Sequence, residues 1–417
     1  MRHRRRSTHD RVLIVGAGRA GVSAAEELRQ LGFAGQIVLL GDERDAPYDR
    51  PACSKGLLTG QLRPRDAALT MSDGLQVHWR LGRRAVSLDP VARVVCTDTD
   101  EAYSYDGLVI ATGADVVPPR GWPLGEPGLH VLHGLGDAWA LRQNLRHARR
   151  VAVVGAGLSG CETACAVRSL ARECVLIDSS PAVMTRALGT VVGGFLTGQL
   201  ARDGVALHLG RRLEQLTRYR DGWRLWLDNG TELEADIVVA TTGERPDTGW
   251  LGCARGLDLT DGVRCDESLR VLGADDVVAA GTVARWPNPR YGPTPRRCGQ
   301  WIAALEQGRA AARTLLAGDD PAAPVALLPR FWSYQFGLRI QACGELPADA
   351  EIGVAQRRPG RRDLLRSGVL VSYAQQDRLV GLVAVNAPSA FNAITRSLLA
   401  TAQPMLSATR SRLAAVS

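Results

Sequence analysis

The chain has 417 residues, of which 45% are hydrophobic and 23% charged. Those are ordinary proportions for a globular protein, and the length suits two or three domains. Wholesale disorder and collagen-like repeats are excluded, and no apolar run reaches the ~18 residues of a membrane-spanning helix. The net charge is +8, from 51 basic and 43 acidic residues, and a single lysine, Lys55, stands among fifty arginines.

In chain order, residues 1–10 (MRHRRRSTHD) read as a disordered basic tail. It lacks the apolar stretch of a secretory signal, and without aromatic platforms it predicts no nucleic-acid partner. From Arg11 the text turns to strand, glycine turn and helix: RVLIV (11–15), GAGRAG (16–21), then a helix pattern over 22–32 stopped by Gly32. A strand, QIVLL (36–40), runs into Gly41, Asp42 and Glu43. The unit recurs 139 residues on: VAVV (151–154), GAGLSG (155–160), a helix pattern over 161–171, and CVLI (174–177) ending in Asp178. A β-rich stretch follows each unit and closes on a small-residue turn, YDGLVIATG (105–113) and ADIVVATTG (235–243). Residues 326–417 carry further strand-like runs at 368–374 and 378–385, a helix around 392–399, and an exposed loop RRPGRR (357–362).

The duplicated unit makes the glycine motif informative. In GxGxxG the first glycine permits the tight turn, the second admits a pyrophosphate, and the third lets helix and strand pack closely. The helix N-terminus supplies free N–H donors for the phosphates. Asp42 comes 21 residues after Gly21 and Asp178 comes 18 after Gly160, the spacing of an acid that meets ribose hydroxyls. Two modules imply two dinucleotides, most economically one flavin and one nicotinamide. Asp178 would repel a 2′-phosphate and so favours NADH over NADPH, with Arg186 close enough to argue the other way.

Nine cysteines show no CxxC, and seven histidines no HExxH or CxxCH. No metal site is expected, and the thiols read as reduced and mostly buried in a cytoplasmic protein. Cys161 and Cys165 lie one helical turn apart and read as sharing a core face. Lys55 sits in PYDRPACSKGLL (47–58), where a compact ammonium could stabilise negative charge arriving on a flavin. Glu162, two residues past Gly160, could pair with it; the alternative is an exposed first-turn acid favoured by the helix dipole. Cys53 is either a small apolar filler or a thiol activated by Lys55.

These residues together resemble the FAD-dependent ferredoxin reductases of bacterial oxygenase systems, a group similar in fold to glutathione reductase. The matching motifs are GAGRAG (16–21), YDRPACSKGLL (48–58), ATG (111–113), GAGLSGCE (155–162), TTGERPD (241–247), AAGTVARW (279–286), WIAALEQGRAAA (301–312) and FWSYQFG (331–337). The resemblance implies an α/β protein with two Rossmann-like, glutathione reductase-type dinucleotide-binding domains and a C-terminal α+β domain. The FAD domain would comprise 11–114 and 245–325, the NAD(H) domain 115–244, and the interface domain 326–417.

It further implies that NADH reduces FAD, which passes single electrons to a [2Fe–2S] ferredoxin on another chain. The protein would be a monomer or homodimer with no membrane partner. Gly16, Gly18, Ala20 and Gly21 would cradle the FAD pyrophosphate and Asp42 the adenosine ribose. Arg50, Lys55, Val86, Ala111, Thr112, Gly113, His133, Gly281, Thr282, Trp301 and Trp332 would contribute to the flavin site, with Lys55 at the ring. Gly155, Gly157, Leu158, Ser159, Gly160, Glu162, Asp178 and Gly243 would serve the nicotinamide dinucleotide.

Three positions depart from the family pattern. Thr282 replaces the aspartate that grips the ribityl chain, His133 replaces an arginine, and Gly299 replaces an acid; Tyr334 also stands where an aspartate is usual. A small-molecule flavoprotein, a homologue that has lost FAD, and a single-cysteine thiol enzyme are the alternative readings. An acidic ferredoxin would be drawn to an arginine-rich face, for which Arg285, Arg290, Arg296 and Arg297 are candidates.

Overall fold

The computed structural model describes residues 10–72, 74–356 and 368–401. The basic tail before residue 10, the RRPGRR loop and the end of the chain beyond residue 401 lie outside the described residues. The chain divides into two compact units, one of residues 1–49, 68–115 and 244–329, the other of 50–67, 116–243 and 330–417.

The first unit is built on a five-stranded parallel sheet in the order Val277–Ala279, Gly107–Ile110, Arg11–Val15, Gln36–Gly41, His78–Leu81. The inner strands Gly107–Ile110, Arg11–Val15 and Gln36–Gly41 carry continuous β-branched and leucine runs because both their faces are covered, whereas the edge strand His78–Leu81 alternates between exposed and half-buried residues. Val12, Leu13, Ile14, Leu39, Leu108 and Ile110 are all fully buried, each contributing roughly 1.5–3 kcal/mol. The helices Arg19–Gln30 and Trp301–Ala317 pack against each other closely, because Gly308 has no side chain. A Cβ there would lie 2.2 Å from the Ala20 carbonyl oxygen. A three-stranded antiparallel sheet (Ala85–Asp89, Val94–Thr97, Ala102–Ser104) branches from the crossover.

The second unit repeats the plan. Its parallel sheet runs Val205–Leu209, Glu173–Asp178, Arg150–Val154, Ile237–Ala240, Leu129–Val131. The side sheet is Leu213–Tyr219, Gly222–Leu227, Glu232–Ala235. To this the unit adds an antiparallel sheet in the order Arg330–Gln335, Leu338–Gly344, Arg378–Val385, Val369–Gln375, Glu351–Gln356, with the helix Pro388–Ala400 after it. The strand runs read from 368–374 and 378–385 and the helix near 392–399 are therefore present.

Both glycine-turn helices start earlier than their apolar periodicity suggests, at Arg19 and Leu158. Gly18 and Gly157 are the N-caps, so the last three residues of each motif are already helical. Among the described residues no helix is long and apolar enough to cross a membrane.

Candidate functional site

Each parallel sheet carries a glycine turn at the end of its central strand. Gly16 has φ +116°, and a Cβ on it would lie 2.1 Å from the Ala111 carbonyl oxygen, so only glycine fits. Its N–H donates to Leu40 O at 2.8 Å. Gly18 faces open space, with no atom within 4 Å of an added Cβ. No side chain caps the helix start, and its first turn contains no acid, which leaves the N–H groups free for an anion.

Arg19 is turned onto the Trp301 ring at 5.1 Å and lies 3.8 Å from Glu26. Burial pushes its guanidinium below the usual arginine value, opposed by Glu26. Its Nε and the Trp301 Nε1 are buried with no hydrogen-bond partner among the described residues. An open second glycine, a free helix N-terminus and unpartnered donors beside it fit a dinucleotide diphosphate.

The second turn has the same backbone. Gly155 has φ +111°, its N–H donates to Ile177 O at 2.8 Å, and Gly157 is likewise open and uncapped. Here the strand-end acid also serves the turn. Asp178 accepts the Ala156 N–H at 2.6 Å and the Ser180 N–H at 2.7 Å. Thr241 Oγ1 donates toward Gly155 O at 2.9 Å and Val154 O at 3.1 Å, which pins the turn to the neighbouring strand. Leu158 is half-buried, while Ser159 and Gly243 are exposed at this edge.

Glu162 is the site's main charge centre. Its side chain is 4% exposed, so it is not the exposed first-turn acid of the alternative reading. Lys55 Nζ lies 2.7 Å from Glu162 Oε2 and donates to Pro51 O at 3.0 Å. Ser54 Oγ donates to Glu162 Oε2 and Ser333 Oγ to Oε1, each at 2.5 Å. Gln335 Nε2 reaches Ser333 Oγ at 3.3 Å. The carboxylate thus accepts from three residues on two segments, which satisfies its lone pairs in a buried setting. Lys55 is the N-cap of a short helix, Gly56–Thr59, and keeps 29% of its side chain exposed. It therefore remains able to meet a ligand.

Sequence reasoning found Lys55 and Glu162 but missed Ser54 and Ser333. The signal for Ser333 was period-two alternation in FWSYQ: Ser333 and Gln335 are buried while Trp332 and Tyr334, the other face of the same strand, are exposed. Glu244, unremarked in the sequence, lies against Gly299, where an added Cβ would be 3.0 Å from its Oε1.

The remaining predicted residues fall as follows. In the first unit, Asp42 ends its strand exposed and accepts the Glu43 N–H at 2.9 Å, and Val86 is exposed on a side-sheet strand. Thr112 Oγ1 donates to Asp247 O at 2.8 Å, and Gly113 has φ +76°. Gly281 donates to Gln307 Oε1 at 2.7 Å, and Thr282 follows it half-buried. In the second unit, Arg50 Nη1 donates to the His133 carbonyl oxygen at 3.0 Å.

Cys53 is buried, and all nine cysteines are free thiols. Cys161 is fully buried, whereas Cys165 is partly exposed and its Sγ accepts the Phe336 N–H at 3.0 Å. Of the candidate docking arginines, Arg285 pairs with Asp258 and Arg297 with Asp261, the latter at 2.8 Å. Arg296 is exposed between them in the strand Pro295–Arg297.

Known proteins share this arrangement. Residues 10–308 match the pyridine nucleotide-disulphide oxidoreductase family, and residues 330–414 match the reductase C-terminal family. The chain therefore belongs to the pyridine nucleotide-disulphide oxidoreductases, a class implying FAD and NAD(P)H. It is 32% identical over 400 residues to the biphenyl dioxygenase system ferredoxin–NAD(+) reductase component of Paraburkholderia xenovorans, across 93% of this chain and 92% of that protein. Terpredoxin reductase of a Pseudomonas species is 31% identical over 389 residues, 91% of this chain and 90% of that one. In the solved covalent complex of putidaredoxin reductase with putidaredoxin, the matching chain gives a TM-score of 0.84 at 27% identity, over 93% of this chain and 92% of that chain.

Proposed function

We propose that this protein is an NADH:ferredoxin oxidoreductase that binds FAD and serves an oxygenase through a [2Fe–2S] ferredoxin. The observation that carries the reading is likeness over nearly the full length, C-terminal segment included, to reductases named for ferredoxins. On this reading residues 11–114 and 245–325, with Glu244 at their edge, bind FAD, the rest of 115–244 binds NADH, and 326–417 form the interface domain.

When bound, the flavin supplies the exchange between two-electron and one-electron chemistry. This chain's residues do the holding. Gly16 makes the tight turn, Gly18, Ala20 and Gly21 present backbone N–H groups to the diphosphate, and Asp42 offers an acceptor to the adenosine ribose. Gly155, Gly157 and Gly160 repeat the cradle for the nicotinamide dinucleotide. Asp178, already accepting two backbone N–H bonds, favours ribose hydroxyls over a 2′-phosphate. Lys55 offers a compact cation against which negative charge can develop, and Glu162, with Ser54 and Ser333, fixes its position. The protein's positive charge speeds encounter with an acidic partner.

The test is stopped-flow mixing of FAD-loaded protein with NADH and then with a [2Fe–2S] ferredoxin. Bleaching of the flavin bands by NADH, then their recovery as ferredoxin is reduced, is the expected result. Bleaching without electron delivery to any ferredoxin would favour the small-molecule flavoprotein, and a protein that binds no flavin would favour the homologue that has lost it.

A further inference from the structure

We propose that Glu244 is the acid that holds the hydroxyl-bearing chain of FAD on the flavin side of the first glycine turn. The proposal rests on the assignment of FAD to that turn.

The sheet order defines two sides of the turn. Asp42 lies at the end of Gln36–Gly41, the strand on one side of Arg11–Val15; Gly107–Ile110 and then Val277–Ala279 lie on the other. The chain leaving Val277–Ala279 bends at Gly281, which packs on the helix that follows the turn. A Cβ on Gly281 would lie 3.1 Å from Ala20 Cβ. Thr282 comes next, and Gly299 lies just before the helix Trp301–Ala317. Glu244 reaches into this corner. Its Oε1 lies 3.0 Å from the Cβ that Gly299 lacks, and Thr282 Cγ2 and Oγ1 border the same point at 3.8 and 4.0 Å. The carboxylate therefore occupies space that a side chain at position 299 would claim. Of the three residues at this corner, Glu244 is the acid.

The chemistry follows from the diphosphate. A carboxylate beside it gains nothing from the phosphates, and toward a dinucleotide it can serve only neutral donors. A flavin dinucleotide offers these on both flanks: ribose hydroxyls on the adenosine side and an open-chain polyol on the flavin side. Asp42 supplies an acid on the first flank and Glu244 one on the second. Hydrogen bonds to a charged acceptor are about twice as strong as neutral ones, which answers the absence of an acid at both Thr282 and Gly299.

Flavin fluorescence titration of the deflavinated protein measures the effect without turnover. Glu244→Gln should weaken FAD binding about 10- to 100-fold, with NAD(H) affinity and the unfolding midpoint unchanged. Glu244→Ala combined with Gly299→Glu returns a carboxylate to the same point from another backbone position and should recover most of the affinity. Glu244→Asp, which keeps the charge, should fall between Glu244→Gln and the unmodified protein. Gly18→Val should abolish FAD binding.

If Glu244→Gln binds FAD as tightly as the unmodified protein while Gly18→Val does not bind, the proposal is overturned and the FAD assignment stands. Weakening by Glu244→Gln without recovery in the relocated-acid variant also overturns it. If the unmodified protein binds no FAD, or Gly18→Val binds it normally, the assignment falls and the proposal with it.

Discussion

The two glycine turns have matching backbone angles and different surroundings. Gly16 and Gly155 share φ near +110°, as +116° and +111°, and Gly18 and Gly157 cap their helices at φ −77° and −72°. Seven residues after the first glycine the chains diverge. The first helix carries Ser23, fully buried, its hydroxyl without a hydrogen-bond partner among the described residues and Gly308 of the helix Trp301–Ala317 pressed against it; a Cβ on Gly308 would be 3.1 Å from Ser23 Cβ. The second helix carries Glu162, met by Lys55, Ser54 and Ser333. Local sequence sets the cradle, while distant segments decide whether the adjoining helix face is sealed by packing or kept for charge.

The largest expected effects separate the two cradles. Gly18→Val should leave the fold intact, since that Cβ meets nothing, yet remove the flavin absorbance bands from purified protein. Gly157→Val should keep those bands and abolish reduction by NADH at ordinary concentrations. If either variant damages both ligands equally, the two turns do not serve separate dinucleotides.

Exchanging the helix residues tests the second half of the comparison. Ser23→Glu places an unpaired carboxylate under Gly308 and should cost about 3–5 kcal/mol in urea unfolding. Glu162→Gln keeps the shape but removes the charge. It should cost about 1–2 kcal/mol, because Lys55 is partly exposed and screened. Stopped-flow reduction by NADH should slow markedly in Glu162→Gln and in Lys55→Arg, the latter with stability unchanged. Unaltered rates in both would remove Lys55 from the chemistry.

A smaller effect concerns the strand-end acids. Asp178→Ala should shift the NADH-to-NADPH ratio of kcat/KM toward NADPH by about tenfold, whereas Asp42→Ala should leave that ratio unmoved. The smallest effect concerns thiols. Cys161 stands where the first helix has Val22, and burial pushes its thiol well above the ordinary value. Cys174 is pushed up to about 12 by the same cause. Under native conditions at about pH 8 both should resist a disulfide reagent that labels exposed Cys253 promptly.

Much of this was readable from residue order. Glycine spacing, β-branched runs and strand-end acids act within a few residues of themselves. The two parallel-sheet modules and their turns therefore followed from the text. The helix starts were misjudged by three residues because N-caps are glycines here, and apolar periodicity does not register a cap that lacks a side chain.

Only the tertiary structure brought Ser333 onto Glu162, 171 residues away, and turned Glu244 onto Gly299, 55 residues away. Hydrogen bonds and electrostatics depend on distances in space, and a linear text records only distances along the chain. A turn's shape can thus be read from its own glycines. The charge it keeps company with is decided by where the rest of the chain folds back.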